Sequence, residues 1–186
     1  DRVRAFGLAH RFLVGVDADQ QRDDRGRRSV NADGQVTGLT ADEDQTATAG
    51  GVFVQTDTDL SDTLTLSLGA RADRVRLDID DDLLADGNNS GDQDFTESSY
   101  SAGLNWRYQP RHGVYATVSN AFETPTFTEL ANPSGAGGFN PDLEPQKALN
   151  REIGGRGQLG DRLFYELALF RVEVRDEITP YELGGR

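Results

Sequence analysis

Long stretches of the chain alternate between apolar and polar residues with a period of two. From Ser99 to Gln109, for example, Tyr100, Leu104 and Trp106 share one side, while the residues between them are small or polar. Such alternation is typical of β-strands with one apolar and one polar face. The pattern predicts seven strands, near residues 11–20, 46–58, 63–78, 96–109, 113–122, 148–159 and 162–176.

The predicted strands are long. Strands of globular proteins usually have about 5–6 residues, whereas a tilted strand needs about 9–11 to cross a bilayer. Most of the predicted strands reach that second length. The longest uninterrupted apolar run has a few residues, far short of the ~20 that a membrane-spanning helix needs. The sequence therefore predicts an all-β protein and excludes a helical membrane protein.

The connections between these strands alternate in length. Long polar connections are expected at residues 21–45, 79–95 and 123–147 and after Asp176. Tight turns are expected at residues 60–62, 110–112 and 160–161. Outer-membrane barrels alternate in this way, with long loops on one side of the membrane and short turns on the other. The sequence predicts an antiparallel up-and-down transmembrane β-barrel, present as an incomplete segment of about seven strands. A soluble all-β domain stays open as the alternative.

Two details of the pattern give further expectations. Within residues 163–175 the apolar parity changes midway, which indicates either a β-bulge or a short stretch that is buried on both faces. Five aromatic residues fall near predicted strand ends, where they suit the aromatic girdles of a membrane barrel. They are Tyr100, Tyr108, Tyr115, Phe122 and Tyr165.

The charge and the missing motifs exclude several classes of function. The 32 acidic and 19 basic residues give a net charge of −13, which repels nucleic acid. The chain has no Cys and two His, so neither Cys-based nor His-based metal centres are expected. We find no nucleophile elbow, nucleotide loop or metal-ligand spacing. The sequence predicts neither an enzyme nor a bound cofactor.

Several segments together resemble TonB-dependent outer-membrane receptors. Val118 to Leu130 (VSNAFETPTFTEL) is similar to that family's segment in which an aromatic is followed by Pro and Glu-Leu, and NPDLEP, at 140–145, is similar to its loop signature. GVFVQ at 51–55 and GARAD at 69–73 resemble two upstream strands, and EIG at 152–154 and LFRV at 169–172 resemble the two strands that follow the loop. The matching residues, expected to be structural, are Phe122, Pro125, Glu129, Leu130, Asn140, Pro141, Leu143, Pro145, Glu152 and Gly154. The sequence departs from the pattern at Ala72 and Gln146, where the family usually has an aromatic and an acidic residue.

The resemblance implies a bacterial outer-membrane receptor that binds and imports a scarce nutrient. The leading ligand is a ferric siderophore, with haem, cobalamin or an oligosaccharide behind it. The implied partners are the TonB complex, which supplies energy through a plug domain and a short box, and the surrounding lipid and lipopolysaccharide. The plug, the box and the final strand are not among these residues, so residues 1–186 are expected to be part of a larger barrel domain.

Two further interpretations concern the acidic and Pro-rich connections. Alternating oxygen ligands suggest a weak calcium site at Asp80, Asp82, Asp86, Asn88 and Asp92. The EF-hand spacing is lacking, so a solvated loop is favoured. The corresponding alternative function is a soluble acidic β-domain that binds calcium or glycans. In residues 123–147, prolines stiffen the chain around a glycine-containing run at 134–138, which suits either a loop seated on the barrel rim or a lid. Glu129 is a candidate to pair with an arginine of a neighbouring strand.

Overall fold

The computed structural model describes residues 2–131 and 138–179, apart from the side chains of Arg2 and Asp86. The described chain forms one antiparallel sheet in which each strand pairs with the next along the sequence. The strands are β1 (Arg2–Ala5), β2 (Leu8–Val30), β3 (Val36–Asp59), β4 (Leu64–Asp81), β5 (Gly91–Gln109), β6 (His112–Glu123), β7 (Gln146–Leu159) and β8 (Leu163–Arg175). The all-β, up-and-down prediction is confirmed. Within the described residues β1 and β8 do not pair, so the sheet is not closed.

Helices are short and few in this part of the chain. A 3₁₀ turn covers Leu84–Asp86, and helix α1 covers Phe127–Leu130. No described helix has the length and apolar character required to span a membrane.

Two of the expected long connections are present, as residues 82–90 and 124–145, whereas the first is reduced to residues 31–35, scarcely longer than the turn at 60–63. At one end of the strands, here named the turn end, the strands are joined by residues 6–7, 60–63, 110–111 and 160–162. At the opposite end of the strands, the loop end, they are joined by residues 31–35, 82–90 and 124–145. In an up-and-down sheet, successive connections lie at opposite ends of the strands, so this sorting follows from the topology.

The predicted long loop at residues 21–45 is wrong. There β2 and β3 continue as a hairpin, with pairs such as Asp23↔Gln45 and Arg25↔Glu43. The apolar alternation stops near Ala18 because both faces of this extension are polar. The backbone hydrogen-bond ladder continues without this alternation. The ladder is irregular only near Arg27 and beyond. An eighth strand, β1, was also not predicted.

The sheet has two chemically different faces. Face A is the side on which Leu64, Leu66 and Leu68 lie, and face B is the side of Thr65 and Ser67. Cross-strand partners lie on the same side of a sheet, so the register assigns the residues of the other strands. The apolar band of face A comprises Phe12, Val14, Val16, Val52, Val54, Leu64, Leu66, Leu68, Leu104, Trp106, Val114, Val118, Ile153, Leu167 and Leu169.

This band is not the core of a compact soluble fold. Leu68 is 42% exposed, Trp106 50% and Leu167 73%. The buried apolar residues of the described chain lie elsewhere, at Leu77, Phe95 and Leu130 among others. A surface this apolar and this open requires an apolar environment.

The β-bulge considered for residues 163–175 is wrong. Pairing between β7 and β8 runs without a shift from Lys147↔Arg175 to Leu159↔Leu163. The apolar residues instead change sides, from Leu167 and Leu169 on face A to Phe170, Val172 and Val174 on face B. Two-sided burial, the other interpretation of the pattern, is not found in the described chain either, since Leu169 is 75% and Phe170 69% exposed.

Candidate functional site: the two faces and the loop end

The loop-end border of the apolar band crosses the strands obliquely. On β4 the last apolar residue is Ala72, before Arg74, whereas on β8 it is Leu169, before Arg171. Successive cross-strand pairing connects Leu169 with Ile153, Ala116, Leu104 and finally Leu66 of β4. Leu66 is therefore the β4 residue directly across the sheet from Leu169, and it lies six residues before Ala72. The border therefore moves by six residues over four strand steps, about 1.5 residues per strand. With ~3.3 Å per residue and ~4.8 Å between strands, a level border requires a tilt of about 45°. Strands of outer-membrane barrels are tilted by ~35–45°.

A row of aromatic rings lies on face A at the turn end. The ring centroids of Trp106 and Tyr108 are 5.8 Å apart, those of Tyr108 and His112 are 6.1 Å apart, and those of His112 and Tyr165 are 5.8 Å apart. His112 Nδ1 and the Tyr165 hydroxyl form a 2.9 Å hydrogen bond. Aromatic residues with one polar end suit the border between lipid and water.

The other predicted girdle residues divide between the faces. Tyr100 lies on face A, 56% exposed, near the loop-end border of the band. Phe122 lies beyond that border, partly buried, opposite Lys147. Tyr115 pairs with Gly154 on face B, so its assignment to a girdle is wrong. Strand-end position alone did not reveal which side the ring occupies.

Face B carries an ion cluster that crosses three strands. Arg71 donates to both carboxylate oxygens of Asp17, at 2.7 and 2.9 Å, and its Nε donates to Asp73 at 2.7 Å. Asp17 lies on β2 and Arg71 on β4, so the guanidinium must pass over β3. It passes over Gly51, which has no side chain to obstruct it. Face B is therefore polar and tightly paired where face A is apolar.

Two of the motif residues contribute to a second face B contact. The Tyr115 hydroxyl donates a hydrogen bond to Glu152, and the Tyr115 ring lies over Gly154. A side chain at position 154 would overlap that ring. Glu152 and Gly154 thus hold Tyr115 flat against β7.

At the loop end, the connection between β6 and β7 folds over face B. Leu130 is fully buried and packs against Leu77 of β4 and Phe95 of β5. The partly buried residues of this cluster are Ala47, Val75, Phe127, Phe139 and Leu143. Pro125 and Pro145, at the two ends of the connection, are also buried. Of the two interpretations of this segment, its described residues have the packing of a seated loop; residues 134–137 of the glycine-containing run lie outside the described part.

Side-chain hydrogen bonds shape this connection locally. Thr126 and Glu129 form a capping box at α1, with Thr126 N donating to Glu129 Oε2 at 2.8 Å. Glu129 makes this contact and no ion pair with an arginine of the described chain. Asn140 N donates to Leu130 O at 2.8 Å, and Asn140 Oδ1 accepts from Asp142 N at 3.1 Å. Pro141, between the last two residues, is exposed.

A side chain also replaces part of the ladder between β5 and β6. Their pairing stops at Ser101↔Ser119, although both strands continue towards the loop end. The Asn120 amide fills the gap, accepting from Tyr100 N at 2.6 Å and donating to Ser98 O at 2.9 Å. The strands separate beyond this point, where the β6–β7 connection turns onto face B.

The acidic loop has no cation cage among its described side chains. Asp80 lies opposite Asp44, and Asp92 pairs with Arg76 at 3.2 Å. Asn88 Oδ1 accepts from Ser90 N at 2.9 Å, and the Asp82 amide donates to Asp42 O at 2.8 Å. The Asp86 side chain lies outside the described part. Across the described chain, no three or more acidic, His or Cys side chains gather to hold a metal ion.

A different aspartate organises this loop. Asp81, on face B, is buried and accepts hydrogen bonds from Leu83 N at 3.0 Å and Asn89 N at 2.9 Å. The carboxylate therefore ties the two ends of the loop together. The sequence gives no signal that separates Asp81 from its neighbours, because Asp80 and Asp82 flank it directly.

Above the apolar band, face A of β4 and β5 carries paired charges. Arg74 donates to Asp94 at 3.1 Å, and Arg76 lies 3.2 Å from both Asp92 and Asp94. The hydrogen bond from Arg74 lowers the pKa of Asp94, and the charge of Asp92 raises the pKa of Arg76. Arg74 and Arg76 are thus neutralised by neighbouring aspartates.

Comparison with known proteins assigns the chain to a family. The model of the TonB dependent receptor-like β-barrel matches residues 2–186. The vitamin B12 transporter BtuB of Vibrio vulnificus is 34% identical over 96 residues, which is 50% of this chain and 13% of that protein.

Solved structures share the fold at low identity. The ferric citrate transporter FecA, unliganded, has a TM-score of 0.78 at 17% identity over 93% of this chain and 26% of its own. The siderophore receptor PiuA of Acinetobacter baumannii has a TM-score of 0.70 at 17% identity over 91% of this chain and 29% of its own. The chain thus spans under a third of the length of these relatives. It belongs to the TonB-dependent receptor β-barrel family, whose members are outer-membrane transporters and not enzymes.

Proposed function

We propose that the chain is part of the barrel wall of an outer-membrane receptor that binds a ferric siderophore and imports it with energy from the TonB complex. Face A contacts lipid, and face B lines the interior. The turn end lies in the periplasm, and the loop end lies outside the cell, where ligand arrives.

The apolar band carries this proposal. The band is an exposed apolar surface on face A with aromatic rings at its turn-end border. Its loop-end border is oblique to the strands, and it becomes level in the membrane if the strands are tilted by about 45°. Opposite it, face B holds the Asp17–Arg71–Asp73 cluster, which would be costly against hydrocarbon but is stable beside water. A soluble acidic domain that binds calcium or glycans has no comparable support, because such a domain would need to bury the band.

The loop end supplies the ligand side of the proposal. The β6–β7 connection turns inward over face B and narrows the mouth of the barrel. Ligand recognition in such a site would use this connection together with other parts of the receptor. The motif residues Pro125, Leu130 and Pro145, all buried, would fix the shape of the mouth rather than contact ligand.

The relatives support two ligand classes. Two of the similar folds belong to proteins named for a siderophore and for ferric citrate, so a ferric chelate is our first candidate. Cobalamin is the second, because the curated relative with 34% identity over half of this chain is a vitamin B12 transporter. TonB, and the lipid and lipopolysaccharide around the barrel, are the proposed partners.

Uptake by cells tests the proposal directly. The full-length receptor is expressed in a Gram-negative strain without its own siderophore and cobalamin receptors, with and without TonB. We expect saturable uptake of one radiolabelled ferric siderophore from a panel, and loss of that uptake without TonB. Uptake of cyanocobalamin alone would select the second candidate. A receptor that fractionates as a soluble protein would refute both.

A further inference from the structure

Cations face each other directly across β7 and β8. On face A, Arg151 is the register partner of Arg171, and Lys147 is the register partner of Arg175. Directly opposed residues have Cβ atoms ~4.5–5.5 Å apart, and like charges in such positions destabilise a sheet. Two like-charged pairs on one face of one strand pair are unexpected in a chain with a net charge of −13.

The described neighbours neutralise these cations incompletely. Glu173 is shared, 3.2 Å from Arg151 and 2.8 Å from Arg171. Lys147 is neutralised by Glu97, which the β4–β5 register places on face B, through a 2.9 Å hydrogen bond that raises the lysine pKa. Arg175 makes no ion pair with any described residue. One carboxylate therefore serves two arginines, and Arg171 keeps 74% of its side chain exposed.

The excess of positive charge distinguishes the β7–β8 pair from the β4–β5 pair. On the same face and directly above the same band, Arg74 and Arg76 are matched by Asp92 and Asp94. The chain thus neutralises arginines at one position above the band and leaves an excess of positive charge at another.

The excess lies where lipid phosphates are expected. On face A, Arg151 and Arg171 lie next to Ile153 and Leu169, on the side nearer the loop end. Ile153 and Leu169 are the last apolar residues of the band on their strands. The first charged residues beyond a lipid-facing band lie at the level of the lipid headgroups. Guanidinium groups bind phosphate through paired hydrogen bonds.

We propose that Arg151, Arg171 and Arg175 form a binding site for the phosphate groups of an outer-leaflet lipid. The inference rests on the proposed membrane orientation and adds a defined lipid site to it. The phosphate would lie between Arg151 and Arg171 and take up the charge that Glu173 alone does not neutralise. The lipid would thereby stabilise the β7–β8 pair, including its like-charged partners.

Thermal unfolding of the purified full-length receptor tests the site. Protein refolded into detergent without lipopolysaccharide is titrated with lipid A that carries its phosphates, with dephosphorylated lipid A and with inorganic phosphate. We expect the phosphorylated lipid alone to raise the midpoint strongly. In R151Q/R171Q its half-saturating concentration should rise about tenfold or more, since hydrogen bonds to charged groups are among the stronger ones.

Two variants make the result specific. R74Q/R76Q removes two arginines of the same face and height, and it should respond to lipid like the wild type. Glu173→Gln releases both arginines, and it should lower the half-saturating concentration. The inference is overturned by equal responses of R151Q/R171Q and wild type, by equal responses to both forms of lipid A, or by an equal shift with inorganic phosphate. If R151Q/R171Q does not fold, an unchanged or weaker response of Glu173→Gln overturns it.

The test separates this inference from the proposed function. Heat-dependent gel mobility and ligand uptake of the wild type report on the barrel and the transport independently of the lipid site. A receptor that passes both tests but shows no lipid response at Arg151 and Arg171 loses only the site. A receptor that fails them loses the function as well.

Discussion

Individual glycines on face B are positions where a large neighbouring side chain lies flat on the sheet. Gly15 lies under the Phe53 ring, Gly51 under the Arg71 guanidinium, and Gly154 under the Tyr115 ring. In each case the missing Cβ is what makes room. Gly154 was identified from the sequence as a motif residue, but the ring that requires it was not, because cross-strand partners are set by the register.

Substitution of Gly154 by Val should therefore destabilise the barrel. The new side chain would overlap the Tyr115 ring and break its hydrogen bond to Glu152, and overpacking of this kind typically costs about 1–3 kcal/mol. We expect a lower urea midpoint for loss of heat-dependent gel mobility in the full-length receptor. Gly155→Ala is the control, since a Cβ there would first meet atoms at 3.7 Å. Equal midpoints for both variants would contradict the prediction.

At the scale of elements, the strands change their apolar side near the loop end. On β4 the apolar residues of face A end at Ala72, and those of face B begin at Val75 and continue through Leu77 and Ile79. β8 changes in the same sense between Leu169 and Phe170. On β4, face A leaves the apolar surroundings of the band, while face B gains the β6–β7 connection to pack on. On β8, Phe170 and Val172 of face B stay 69% and 49% exposed in the described chain.

The elements that sequence could predict are those with a one-sided apolar signal. Leu64 to Ala72 and Tyr100 to Tyr108 have it, and their strands were located closely. The extensions of β2 and β3 past Ala18 lack it, because backbone hydrogen bonds alone continue the hairpin. The parity change in β8 was visible but ambiguous, since a bulge and a change of face leave the same pattern. The capping box of α1 was present as Thr126-x-x-Glu129 and was overlooked.

Helix α1 should depend on Glu129. Removal of a capping side chain costs about 0.5–2 kcal/mol, so Glu129→Ala should speed amide hydrogen exchange in residues 126–131 while the strands stay protected. Glu129→Gln, which keeps an acceptor, and Thr128→Ala, on the same helix, should exchange like the wild type. Exchange is read by mass spectrometry on the full-length receptor. If Glu129→Ala left exchange unchanged but weakened ligand binding, Glu129 would be a ligand contact instead.

The whole sheet presents free edges when it is limited to these residues. β8 has no described partner on its outer side, and β1 pairs over just four residues. Unpaired strand edges favour association with other chains, and the open band on face A adds to that tendency. The isolated 186-residue polypeptide should therefore elute from size-exclusion chromatography as oligomers, whereas a monomer without detergent would contradict the barrel-wall interpretation.

The orientation of the sheet in the membrane makes the two faces unequal in their tolerance of charge. Leu104 lies on face A near the middle of the band, and its neighbour Asn105 lies on face B. An arginine at the bilayer midplane costs about 2–4 kcal/mol in outer-membrane barrels, while lumen positions accept it. Leu104→Arg should thus lower the amount of folded receptor in outer membranes and its urea midpoint, and Asn105→Arg should change both little. The two positions are adjacent on β5, so both substitutions act on a part of the strand with the same local stability. The two variants therefore differ mainly in the face of the sheet that carries the new arginine. A larger loss for Asn105→Arg would mean that face B, and not face A, is turned towards lipid.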